Sequence, residues 1–235
     1  NLDIVLGRGI SLEMDAMQDK LIRRHRGGYC YEHNLLFAAL LEHIGFAVSR
    51  LTARIRMGSN EPQPSGHMLL RVDAGGRPWL ADVGFGGQRL LEPIPLEDGA
   101  IARQGSWTYR LDHEGAGVWV LRVWRPDGWF DLYGFTLEPR HHGDYGVYNY
   151  YTSTNPDSPF VKGVVALKTE RHLRRSLTGR RFTTTYPDGS IERRELSGAE
   201  LIGVLRSTFG IALEAGEEAG IRSIYVTDHE DGGLL

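Results

Sequence analysis

One residue in this 235-residue chain can act as a strong neutral-pH nucleophile, the single cysteine Cys30. It follows Gly27-Gly28 and opens a run in which Leu35, Leu36, Ala39, Leu40 and Ile44 cover a wide helical face, closed by Gly45. This pattern predicts a largely buried helix starting near Cys30 and ending near Ile44. Unpaired backbone N–H groups and the helix dipole favour a thiolate at such a start. Helix N-termini and histidine partners bring a cysteine thiol from about 8.5 to roughly 3.5–7.5. The competing role is ordinary packing, because a free cysteine is usually a small buried hydrophobe.

A thiol nucleophile needs a base, and the base needs an orienting group. Among nine histidines, His67 stands out because it begins a strand whose hairpin partner carries Asp82. With Gly75-Gly76 as a two-residue turn, both central residues can take the positive φ of a type I′ turn. Ala74 then faces Arg77, and Asp82 falls opposite Leu69. His67 is its diagonal neighbour on the same face, at about 7–8 Å between Cα atoms. A slip of one residue would put the two on opposite faces. A carboxylate in an apolar strand is costly unless paired, and an imidazole is its natural partner. His25, His33 and His43 lie in or beside helices and read as solvated or structural groups, and His113 and His229 sit in polar surroundings. His141 and His142 fall in a long loop-like stretch and remain possible ligand contacts. Directly after Asp82-Val83 comes Gly84-Phe85-Gly86-Gly87, which matches neither a dinucleotide fingerprint nor a P-loop. Its use would be close backbone approach to a ligand with N–H groups exposed.

These residues need elements to hold them. Upstream, Ser11 reads as an N-cap, Met14, Met17 and Leu21 as an apolar helical stripe, and Gly27 as the stop. From Ala47 the period becomes two, with Leu51, Ala53, Ile55 and Met57 expected inward. Further strands are expected at 67–72, 79–83, 107–111, 118–124 and 130–133, a spacing typical of a barrel or sandwich. The stretch 138–159 looks irregular. Strands near 160–169, 182–186 and 191–196 and a helix opened by the capping box Ser197-Gly198-Ala199-Glu200 complete the chain. The order is helices, then antiparallel strands, then a smaller mixed unit.

Composition narrows the function classes. Apolar residues are 41 %, charged residues 24 %, and 27 basic against 30 acidic residues leave a net charge of −3. That is a globular composition without the basic surplus of a nucleic-acid binder. No stretch approaches a membrane span. A lone cysteine forms no intrachain disulfide and fits a reducing cytoplasm. No cluster of metal ligands is visible, so no metal is expected.

Three segments, Arg26-Gly27-Gly28-Tyr29-Cys30-Tyr31-Glu32-His33-Asn34, Gly66-His67-Met68-Leu69-Leu70 and Asp82-Val83-Gly84-Phe85-Gly86-Gly87, closely resemble the signature blocks of the arylamine N-acetyltransferases. The segments 135–140 and 149–154, running on to Ser158-Pro159-Phe160, agree. The resemblance implies an α+β fold with a cysteine-protease or transglutaminase-like core. Its parts would be a helical bundle (1–46), an antiparallel β-barrel (47–137), a connector (138–160) and a small α/β lid (161–235). It further implies Cys30 as nucleophile, His67 as base and Asp82 as orienting acid. The implied reaction is ping-pong: acetyl passes from acetyl-coenzyme A to the thiol, then to an arylamine, hydrazine or N-hydroxyarylamine. Phe85 and Phe160 match acceptor-pocket positions, and Tyr31, next to the nucleophile, would add a wall to that pocket, with its backbone N–H placed to help an oxyanion. Ser65, Gly66, Gly86, Gly87 and Tyr151 are the implied coenzyme A contacts.

Family members carry a further helical stretch ending in Pro-Phe-Glu-Asn, of which only Asn1 is present, so a segment is expected to be missing upstream. The absent Glu pairs with the arginine matching Arg26, which leaves Arg26 expected to lack its partner. Other readings keep the same residues. An amide synthase of this fold would use a carrier-bound polyketide donor. A thiol protease or transglutaminase would need an open peptide groove, and a truncated homologue would bind ligand without catalysis.

Overall fold

The switch from helical to strand period near residue 46 marks where the chain changes layer. The computed structural model describes residues 1–59, 61, 63–214 and 216–225; His229 lies outside them. Two short helices, α1 (Leu2–Val5) and α2 (Met14–Gln18), precede α3 (Cys30–His43). Eight strands follow: β1 (Ala47–Ile55), β2 (Ser65–Ala74), β3 (Arg77–Ala81), β4 (Ile94–Pro95), β5 (Ala100–Gln104), β6 (Trp107–His113), β7 (Trp119–Arg125) and β8 (Gly128–Phe135). They form one antiparallel sheet in the order β4-β3-β2-β1-β8-β7-β6-β5, and its edge strands β4 and β5 come together, so the barrel is nearly closed. Then come α4 (His142–Thr154), α5 (Pro159–Lys162), a four-stranded sheet of β9 (Val165–Thr169), β10 (Arg174–Thr178), β11 (Arg181–Thr185) and β12 (Ile191–Glu195), and helices α6 (Gly198–Ser207) and α7 (Glu217–Ser223).

Three apolar cores result. Leu51, Leu69, Leu80, Leu111, Leu121 and Leu132 fill the barrel. Met17, Leu35 and Ala38 pack with Met68, Leu70, Val72 and Ala81 between the helices and the barrel's outer face. Val164, Leu177, Leu196, Leu201 and Leu205 form the third, in the last unit. β2 therefore faces apolar neighbours on both sides, which explains its unbroken run His67-Met68-Leu69-Leu70, each residue at most 2 % exposed.

Several expectations need correction. The stretch 138–159 is mostly helix, because Tyr145 and Tyr148 at helical spacing pack into the helical core. Its two glycines, Gly143 and Gly146, and short polar residues mask that period. The first helical segment opens at Met14, not after Ser11, and its last turn (Asp19–Arg23) is π-helical and ends before Gly27. Ile55 and Met57 are exposed (40 % and 46 %) and Thr52 is buried, since β1 is covered on both faces in its middle and runs out into solvent at its end. Leu40 and Ile44 are exposed as well, so α3 buries a narrower face than its composition suggested. Residues 160–162 are helical, and β4, β5 and β10 were not foreseen. α1 packs with the last unit, Leu2 lying among its apolar residues, although it falls within the expected 1–46 bundle.

Candidate functional site

The site lies at one mouth of the barrel. The hairpin register is the expected one, Ala74 opposite Arg77 and Leu70 opposite Ala81. His67 and Asp82 therefore share the barrel-facing side, and His67 Nε2 lies 2.7 Å from Asp82 Oδ2. Both are essentially buried, at 2 % and 3 % exposure. Cys30 opens α3, as its glycine-led position predicts, with its side chain close enough to the imidazole to help hold its proton. With Nε2 given to Asp82, the ring's other nitrogen is the one free to serve the thiol.

The electrostatics follow from burial and pairing. Burial alone would lower His67, but the charge and hydrogen bond of Asp82, with Cys30 adding, lift it from 6.5 to about 10. Burial would raise Asp82, yet His67 and donors from Gly84 and Asn34 hold it below its ordinary range. At neutral pH the pair is thus imidazolium and carboxylate.

Sequence reading missed two residues that complete this arrangement. Asp82 Oδ2 also accepts from the Tyr133 hydroxyl at 2.9 Å, and Oδ1 accepts from Gly84 N (2.9 Å) and Asn34 Nδ2 (3.1 Å). Asn34 also donates to Met68 O at 2.7 Å and accepts from Val83 N at 3.2 Å. It stands four residues after Cys30, one helical turn along, so it ties the nucleophile's helix to both strands bearing the pair. That i, i+4 relation to Cys30 was a readable signal. Tyr133, 51 residues from Asp82 in sequence, gave none.

The expected acceptor residues divide. Phe85 packs edge-on against His67 (4.9 Å between ring centres) and against Tyr133 (4.8 Å). Phe160 meets Tyr29 edge-on at 5.8 Å. The Tyr31 ring is wholly buried and its hydroxyl donates to Gly66 O at 2.6 Å, so it braces the strand before His67 and is no open wall. Gly66 O also lies 4.0 Å from Cys30 Sγ. Gly84 packs directly on Cys30: a Cβ there would lie 2.6 Å from Cys30 Cα. Gly86 and Gly87 begin a short 3₁₀ turn under Leu167 of β9, and Thr169 Oγ1 donates to Gly86 O at 3.2 Å. Ser65 starts β2, and Tyr151 is exposed on α4. His141 and His142 open α4 beside a surface cavity with Leu12, Arg50 and Arg140.

Arg26 does not lack partners. Its guanidinium is buried and donates to Asp3 Oδ1 (2.9 Å), Glu217 Oε2 (2.7 Å) and Ala212 O (2.8 Å). Lys20 joins Asp3 to the buried Glu32, at 3.3 and 2.6 Å. The chain of charges ties α1, α3 and α7 together just behind Cys30. Asp3 and Glu217 are distant from Arg26 in sequence, so nothing in the local pattern announced them.

A helix-borne cysteine beside a barrel-borne histidine–carboxylate pair defines the class, an α+β protein that sets a thiol next to a base and its orienting acid. Known proteins agree in sequence and in structure. The N-acetyltransferase family model matches residues 1–218, and the chain belongs to the arylamine N-acetyltransferase family. The arylamine N-acetyltransferase of Mycolicibacterium smegmatis is 38 % identical over 97 % of this chain and 86 % of its own length. The Nocardia farcinica arylamine N-acetyltransferase superposes with a TM-score of 0.87 at 38 % identity, covering 94 % of this chain and 80 % of that one. The Mycobacterium marinum enzyme, solved in complex with CoA, superposes with a TM-score of 0.86 at 34 % identity, over 95 % and 86 %.

Proposed function

We propose that this chain acetylates arylamines by a ping-pong reaction in which Cys30, His67 and Asp82 act as nucleophile, base and orienting acid. The observation that carries it is the Cys30–His67–Asp82 line, with the buried 2.7 Å His67–Asp82 contact at its centre. Acetyl-coenzyme A is the donor, the reading supported by a structural relative solved with CoA. With its proton held by His67, the Cys30 sulfur attacks the thioester carbonyl, the bond to the coenzyme sulfur breaks, and the imidazolium passes that proton to the departing thiolate, leaving His67 neutral. The enzyme thioester is close in energy to the donor thioester, so the step is reversible. An aromatic amine, hydrazine or N-hydroxyarylamine then attacks the same carbonyl. His67 takes the amine proton and the Cys30 thiolate leaves. General-base help of this kind contributes about 10²–10⁴-fold.

Phe85 and Phe160 form the aromatic side of the acceptor pocket, and the Tyr31 backbone N–H stands at the helix start to receive the oxyanion. Ser65, Gly66, Gly86 and Gly87 offer backbone to the coenzyme, with Tyr151 at the outer rim. The lone thiol fits a cytoplasmic setting.

Intact mass spectrometry tests the reading. Mixing with acetyl-coenzyme A yields one acetyl adduct in the parent chain, none in Cys30→Ser, and loss of the adduct on adding an arylamine. An unmodified parent chain, alongside rapid acetylation by a different acyl thioester, assigns another donor. Cys30 inert to both refutes the catalytic reading.

A further inference from the structure

Behind the glycine turn lies a group of arginines that the chemistry at Cys30 does not use. Arg174, on β10, is only 7 % exposed. Its guanidinium lies 3.6 Å from the centre of the Trp107 ring, Nη2 donates to the Tyr109 hydroxyl (3.2 Å) and Nη1 to Gln88 Oε1 (3.3 Å). Its buried Nε has no partner. Arg125, half-buried at the end of β7, lies over the Phe130 ring and donates from Nη2 to the same Gln88 oxygen at 3.1 Å. Arg89 follows Gln88 in the chain, and its buried Nε is also unpartnered. Among the described residues none of the three has a carboxylate within ion-pairing distance, whereas the buried Arg26 has two.

Burying a cation without a counter-charge is unfavourable, and two guanidiniums on one neutral oxygen also repel each other. Burial and the neighbouring Arg174 hold Arg125 below its ordinary range, against a weaker pull from Asp127. Burial does the same to Arg174. Two planar forks converging on one acceptor position is the geometry that suits a phosphate oxygen. The position also fits the reaction. Gln88 ends the turn begun by Gly86-Gly87, four residues past the Gly84 that touches Cys30. Such a segment spans at most about 13–14 Å. A donor lying along the turn with its thioester at Cys30 would bring its distal, charged part toward these arginines.

We propose that Gln88, Arg125 and Arg174 form a phosphate-binding site for the acyl-coenzyme A donor, with Gln88 Oε1 holding the position of a phosphate oxygen. The assignment of the phosphate to coenzyme A rests on the donor reading above. Arg125 is half-exposed, so Arg125→Gln leaves the core intact. Arg174→Lys keeps the charge and removes the fork. The experiment compares acetyl-coenzyme A with S-acetylpantetheine, which has the same thioester arm and no phosphate. In Arg125→Gln the ratio of kcat/KM for the first donor to that for the second falls about tenfold or more, the worth of a lost charge-assisted hydrogen bond. Arg174→Lys lowers it less. A loss shared equally by both donors, with the ratio unchanged, overturns the proposal while leaving the donor reading standing. An unchanged ratio, together with inorganic phosphate that raises the melting temperature of the parent chain but not of Arg125→Gln, overturns the coenzyme assignment in favour of free phosphate. If the parent chain accepts acetyl from neither donor, the donor reading fails. Calorimetric titration with inorganic pyrophosphate then decides the site alone, and equal affinity in parent and variant overturns it.

Discussion

Replacing Asp82 by Asn tests the electrostatic core of the site with little change of shape. The carboxylate accepts from four donors: His67, Tyr133, Gly84 and Asn34. An asparagine keeps one oxygen for two of them and turns an NH₂ toward the other two. The larger effect falls on His67. Asp82 is what raises this imidazole from 6.5 to about 10 against burial. Without that charge burial acts almost unopposed, and the ring titrates below 6.5. At pH 7.5 it passes from almost fully charged to less than roughly a tenth charged. Labelled-histidine NMR follows this directly, and acetyl transfer falls by about 10²–10⁴-fold as the ring loses its orientation and charge. Stability carries the same signature. A histidine whose folded value lies above its unfolded one stabilises the fold below about 6.5 and loses that contribution as pH rises through about 10. Asp82, held low, contributes above its unfolded value of 3.8 and loses that as pH falls through its folded value. Melting of the parent chain should therefore decline between about pH 7 and 10.5 more steeply than that of Asp82→Asn. A parent His67 that titrates near 6.5, or a variant ring still charged at pH 8, would refute the reasoning.

Other outcomes follow from single contacts. Tyr133→Phe removes one donor to Asp82 and nothing else polar; activity should fall by about tenfold and melting should drop slightly, a loss of roughly 0.5–1.5 kcal/mol. Gly84→Ala would bring a methyl 2.6 Å from Cys30 Cα and 2.7 Å from Asn34 Nδ2. It should cost about 1–3 kcal/mol in denaturant unfolding and lower the Cys30 alkylation rate. Arg26→Ala leaves Glu217 and Asp3 facing a buried void and should destabilise by about 3–5 kcal/mol, with Arg26→Lys recovering part of it. Equal melting of Arg26→Ala and parent would show that the charge chain contributes nothing net.

The site was legible where one local rule governs it. Cys30 at a glycine-led helix start and the Gly75-Gly76 turn each fix a geometry within a few residues. Together they put His67 and Asp82 on one face. The capping box at Ser197 and Glu200 formed as read, with Ser197 Oγ accepting from Glu200 N. Legibility failed where burial on both sides, or a partner far along the chain, set the outcome. α4 hid behind its glycines because tertiary packing of Tyr145 and Tyr148, more than intrinsic propensity, stabilises it. Tyr31 is too deeply buried to be a wall, for its hydroxyl is drawn to Gly66 O.

What this sequence settled by itself is therefore which residues could do chemistry and their local frame: a thiol at a helix start, a histidine and an aspartate in one hairpin register, a glycine loop beside them. Those follow from φ preferences, two-residue periodicity and capping, all short-range. Only the tertiary structure decided how that chemistry is held. It brought Tyr133 across the barrel to Asp82, gave Arg26 the carboxylates of Asp3 and Glu217, and drew Arg125 and Arg174 to one oxygen of Gln88. Each of those contacts joins residues dozens of positions or more apart, save that from Arg26 to Asp3. They exist because a buried polar group must find a partner wherever the fold places one.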